Sequence, residues 1–70
     1  MKFRQAKQPF KIETGQRLIM SHKYYRGQIW KIGKMVYNNE GFELYMDSSN
    51  RYIGWEKENF LQEYGRLISY

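Results

Sequence analysis

The side chains able to do chemistry are few and scattered. His22 is the only imidazole, Thr14 the only threonine, the serines are Ser21, Ser48, Ser49 and Ser69, and there is no cysteine. A nucleophile needs a base to activate it, so a Ser/His/acid triad would have to recruit His22, and no motif around it supports one. Without thiols, disulfides and thiolate metal sites are excluded. The stretch "DSSN" at 47–50 is oxygen-rich, but it lacks the further acids and the closing glutamate of a calcium loop and reads as a turn. Glu56, Glu58 and Glu63 offer carboxylates for acid–base work, yet a chain of 70 residues is not expected to build a cleft deep enough for desolvation to raise a carboxylate pKa. The glycines form no phosphate-cradling loop. Catalysis, a cofactor and a metal are therefore not expected, and binding is.

The richest binding stretch is "SHKYYRGQIWKIGK" at 21–34, which packs His22, Lys23, Arg26, Lys31 and Lys34 around Tyr24, Tyr25 and Trp30. Proteins that hold single-stranded nucleic acid combine cations for the phosphates with exposed rings, because every base has a π-face. Lys23, Tyr24, Tyr25, Arg26, Lys31 and Lys34 fit that recipe, with Lys2 and Arg4 of a basic arm along the backbone or in a groove. Charge along the chain agrees. Residues 1–35 hold nine Lys/Arg against Glu13 alone, residues 36–70 hold three against six acids, and the whole carries +5. Such a separation attracts nucleic acid or an acidic protein. No RNP motif, zinc finger or helix-turn-helix is present.

The competing expectation is a protein-binding accessory factor or inhibitor. Tyr, Trp and Arg dominate interface hot spots, and the chain has seven tyrosines. Tyr45 and Tyr52 are the exposed rings expected at such an interface, with a basic flank that recognises an acidic or DNA-binding partner. Small cysteine-free chains of this kind look like those of bacteriophages and mobile elements, which often bind one host protein. A third expectation is a subunit of a larger assembly joined through edge strands.

These residues must be positioned by one small domain. Only 41% of residues are apolar, but 19% are aromatic, and large rings bury much area each. Homo-oligomerisation would add burial. No apolar run approaches the roughly 20 residues of a membrane span. The opening "MKFRQAKQPFK" has no signal-like apolar stretch, so a cytoplasmic location is expected.

Residues 1–11 read as a basic arm or irregular edge segment, with Pro9 against a central strand, and 12–70 as the domain. "RLIM" at 17–20 suggests a strand that runs on through "SHKYY", and Arg26-Gly27 a turn. Residues 28–37 read as a strand with Trp30 and Ile32 on one face, Lys31 on the other, and Gly33 at a bulge where apolar parity changes. "NNEG" at 38–41 has hairpin composition. "FELYMD" at 42–47 alternates cleanly, Phe42, Leu44 and Met46 inward and Tyr45 outward. "SSN" is a turn and "RYIGW" at 51–55 a return strand. Phe60, Leu61 and Tyr64 then fall at helical spacing, Gly65 sits where a C′ glycine ends a helix, and "RLISY" closes the chain as a last strand.

In "GWEKENFL", Gly54, Trp55, Asn59, Phe60 and Leu61 fall on positions of a motif that resembles the one preceding the last strand of SH3 domains. The resemblance implies a mainly β fold, a small SH3-like barrel of about five strands with a short helical turn before the last. Glu56 stands for the motif's second apolar residue and Lys57 for its proline. The acidic tyrosine motif and paired tryptophan of eukaryotic SH3 domains are missing, which argues against proline-peptide binding. The alternative architecture is a three-stranded sheet with a longer C-terminal helix over 56–64, as in small DNA-binding arms of phage-type integrases.

Overall fold

Period-two alternation does produce strands in the computed structural model, which describes residues 10–69. They are β1 (Arg17–Met20), β2 (Ile29–Val36), β3 (Gly41–Met46), β4 (Arg51–Lys57) and β5 (Gly65–Ser69), with one helix, α1 (Glu58–Tyr64), before the last. All pair antiparallel in one sheet of order β4-β3-β2-β1-β5. β4 and β5 are therefore the edges, and α1 links them. The three-stranded alternative is not adopted.

The inner face is what the alternation marks out. Leu18 and Met20, Trp30 and Ile32, and Phe42 and Leu44 are buried together, joined by Leu61 of α1 and by Ile12 from the segment ahead of β1. That segment is tied down by polar contacts rather than by a strand. Gln16 is buried, its Oε1 accepting from the Glu13 N–H at 3.0 Å and its Nε2 donating to the Lys11 carbonyl at 3.0 Å. The Ile12 N–H donates to Glu58 Oε2 and Gln62 Nε2 to the Phe10 carbonyl, so α1 holds this segment too. Pairing of these backbone groups is required once they leave water.

The turns use left-handed backbone, chiefly at Asn, although Tyr37 also adopts it with φ of 53°. Asn38, Asn39 and Asn50 have φ of 55°, 67° and 58°, and Asn tolerates that region better than most residues. At the bulge in β2, Gly33 and Lys34 together oppose Glu43, and a Cβ on Gly33 would lie 2.8 Å from Tyr45 Cε1. The bulge falls where the sequence places it, although Met35 beyond it stays exposed.

Two local expectations are corrected. β1 stops at Met20, because residues 21–28 spend their backbone donors on turns: Tyr25 N–H to the His22 carbonyl, Gly27 N–H to that of Met20, and Gln28 N–H to that of Tyr25. Gly65 is not a left-handed cap, since its φ is −103° and it opens β5. It is needed for close approach, because a Cβ there would lie 2.7 Å from the Leu61 carbonyl oxygen and 2.8 Å from Leu18 Cδ1. No helix of the described residues is long and apolar enough to cross a membrane.

Candidate nucleic-acid interface

Residues 21–28 form a loop between β1 and β2 that is anchored on α1 and displays its remaining side chains. Ser21 donates through both N–H and Oγ to the Tyr64 carbonyl. His22 is surrounded by rings, with centroids of Tyr64 at 4.7 Å, Tyr25 at 5.2 Å, and Tyr24 and Phe60 at 5.4 Å. Its Nδ1 accepts from the Tyr24 N–H at 3.2 Å, which requires that nitrogen to be unprotonated. His22 is thus the hub that fixes the loop's shape. Tyr25 turns inward, edge-on to Trp30 at 5.0 Å. Tyr24 turns outward with 72% of its surface exposed, and Lys23 Nζ sits 5.2 Å from its ring centroid. Lys23 and Arg26 are exposed and in no ion pair with a described residue.

The loop forms one wall of a cleft of about 270 Å³. Trp30, Leu44 and Met46 of β2 and β3 lie beneath it, and Ile53, Trp55 and Glu56 of β4 line the other side. Gln28 also lines it, and its Oε1 accepts from Trp30 Nε1–H at 2.9 Å. Trp55 is held by Gly41, whose missing side chain leaves room for the indole, and by Tyr37 with ring centroids 4.5 Å apart. Glu56 pairs in register with the core residue Phe42, so it points to the inner side of β4. The cleft is thus lined by hydrogen-bonding residues and by aromatic ones, the composition of small-ligand sites.

The opposite face of the sheet carries Lys31, Tyr45 and Tyr52. Lys31 stands between Arg17 of β1 and Tyr45 of β3. Arg17 forks onto Asp47 with Nε and Nη2 each 2.9 Å from a carboxylate oxygen, and Nη1 donates to Ser69 Oγ. These hydrogen bonds hold the Asp47 carboxyl below its ordinary pKa, despite some desolvation, with help from the charges of Arg17 and Lys31. Tyr45 and Tyr52 are cross-strand partners in edge contact at 5.6 Å. Desolvation, and then the neighbouring Glu43 carboxylate, push the Tyr45 phenol pKa up.

The residues expected to contact nucleic acid therefore separate. Lys23, Tyr24, Tyr25 and Arg26 share the loop beside the cleft. Lys31 and Lys34 lie on β2 away from it, Lys31 on the Tyr45–Tyr52 face. Lys2 and Arg4 fall outside the described residues. Gln28, Trp55 and Glu56 line the cleft and were not among the expected contacts. Glu56 had a signal, an acid at a position where the SH3-like motif carries an apolar residue. Among the described residues no cluster of three or more His, Cys, Asp or Glu is placed to hold a metal ion. No protein-family model, curated protein or solved structure matches this chain.

Proposed function

We propose that this chain is a small non-catalytic module that binds single-stranded nucleic acid through the loop at 21–28 and the cleft behind it. The observation that carries the reading is the exposed Tyr24 ring at the cleft's edge, with Lys23 and Arg26, cations in no ion pair with a described residue, in the same loop. Tyr24 supplies a stacking face and the cations meet the phosphates on either side. The short helix ahead of the last strand, together with Gly54, Trp55, Asn59, Phe60 and Leu61, supports reading the sheet as an SH3-like barrel.

The test is anisotropy of labelled single- and double-stranded oligonucleotides at two salt concentrations. Single-strand affinity should fall with salt by about 0.7 log units per log unit of salt for each phosphate neutralised. Tyr24→Ala should weaken binding roughly 5- to 150-fold, the range for losing one stacked base. Absence of binding at low salt would refute the reading.

A protein partner is the second reading, favoured by a different surface. Tyr52, 53% exposed, and Trp55 lie on the edge strand β4, beside Tyr45 and Tyr37. An accessory factor or inhibitor of phage or mobile-element type would use these rings against an acidic or DNA-binding host protein. Ala at Tyr45 and Tyr52 would then abolish capture of a specific protein from nuclease-treated lysate and leave oligonucleotide binding unchanged.

A further inference from the structure

We infer that the cleft reads guanine, taking one unstacked base of a single strand with Glu56 and Gln28 as its hydrogen-bonding partners. The inference rests on the nucleic-acid reading and names the base that this site selects.

Glu56 is the feature that the fold leaves unexplained. It occupies an inward position on β4 opposite buried Phe42, it is partly buried, and its carboxylate has no hydrogen bond or ion pair with any described residue. A carboxylate on the lining of a cleft that it shares with Trp30, Leu44 and Met46 gains from a partner that can pair with it. A position that breaks the local pattern without a structural gain is where function is to be sought.

Gln28 supplies the complementary group. Trp30 Nε1–H can only donate, so the amide oxygen of Gln28 must face it, and the amide orientation is settled by that bond. The Gln28 Nε2 donors are left with no partner among the described residues and lie on the same cleft as Glu56. The cleft thus presents a double acceptor and a donor beside the wall that carries Tyr24 and Tyr25. At about 270 Å³ it is smaller than the roughly 300–1,000 Å³ of sites for drug-sized ligands, which suits a single flat ring system.

Guanine alone offers two adjacent N–H donors, N1–H and the N2 amine, beside an acceptor, O6. Its donors match the two oxygens of Glu56, and O6 matches the Gln28 amide. Adenine and cytosine set a ring-nitrogen lone pair beside their amine, and uracil or thymine flanks its one N–H with carbonyls, so each turns a lone pair onto the carboxylate. Single strands expose these edges for reading. The negative charge of Glu56 also keeps phosphates out, leaving them to Lys23 and Arg26 on the loop.

An inward charge on an edge strand can also serve only to prevent edge-to-edge aggregation. The experiment separates the two. Short oligothymidines carrying one central dG, deoxyinosine, dA or dC are titrated against the full chain, with anisotropy read at low and moderate salt. The dG oligomer should bind roughly 5- to 150-fold tighter than the dA and dC oligomers, the range for one bidentate contact. Deoxyinosine, which lacks the N2 amine, should fall between, and this arm changes only the ligand. Glu56→Gln should erase the preference and retain salt-dependent binding. Equal affinity for all four oligomers, or preference for another base, overturns the guanine site and leaves the nucleic-acid reading standing. No binding of any oligomer at low salt overturns both.

Discussion

Gly41 is the position where a single methyl group should do the most informative damage. It has ordinary backbone geometry for any residue, so its role is space, not conformation. A Cβ there would meet Trp55 at Cε3 and lie 2.7 Å from Trp55 Cζ3 and 2.9 Å from the Glu56 carbonyl oxygen. Gly41→Ala must therefore push the indole off β3 and strain the β3–β4 ladder. Overpacking of this kind costs about 1–3 kcal/mol. A chain of 70 residues has about 3.5–10 kcal/mol of stability in total, and each kcal/mol is worth roughly 4–8 °C, so Tm should drop by about 4–24 °C. The assay is a double-mutant cycle with Trp55→Ala, followed by urea and thermal unfolding in far-UV circular dichroism. With the ring gone, most of the Gly41→Ala penalty should vanish, giving a coupling of about 1 kcal/mol or more. The Glu56 carbonyl contact persists, so relief should be incomplete. Additive effects of the two substitutions would refute the account and return Gly41 to the ordinary role of a turn glycine.

Three further outcomes follow from the same geometry. Gly65→Asn should destabilise at least as much as Gly65→Ala in thermal melts, because the site lacks room for a Cβ; a left-handed cap would instead favour Asn over Ala. Asp47 has its pKa lowered in the folded state, so its contribution to stability is complete above the unfolded value of about 3.9 and is lost as pH falls through the folded value. Asp47→Asn should therefore narrow the difference in Tm between neutral pH and pH 2, modestly because the pair with Arg17 is solvent-accessible; an unchanged difference would discard that linkage. Lys23→Glu with Arg26→Glu should weaken oligonucleotide binding more than Lys31→Glu with Lys34→Glu, since only the first pair shares the loop with Tyr24, and the reverse order would move the interface to the outer face of β2.

Local pattern by itself determined the strands, and the reason is that alternation specifies which face is buried wherever one face is wet. Trp30 and Ile32, Phe42 and Leu44, the bulge at Gly33 and the turns rich in Asn were all legible, as was the short helix before the last strand. What pairs with what across the chain was beyond that pattern. β5 lies against β1, and the hydrogen bonds of Ser21 to Tyr64 and of Ile12 to Glu58 join residues 43 and 46 positions apart. The loop at 21–28 looked like continuing strand because its composition is strand-like, and only the tertiary cage around His22 makes turns the better use of its backbone groups. For the same reason the basic stretch read as one surface, whereas alternation along β2 sends Lys31 to one side and Trp30 to the other. That Gln28 and Glu56 line one cleft was illegible altogether, since they sit on either side of β3 and share it only through the curvature of the folded sheet. Gly41 and Gly65 show the limit most plainly: their residue type suggested a hairpin turn and a helix cap, and the fold uses them as room for Trp55, Leu61 and Leu18.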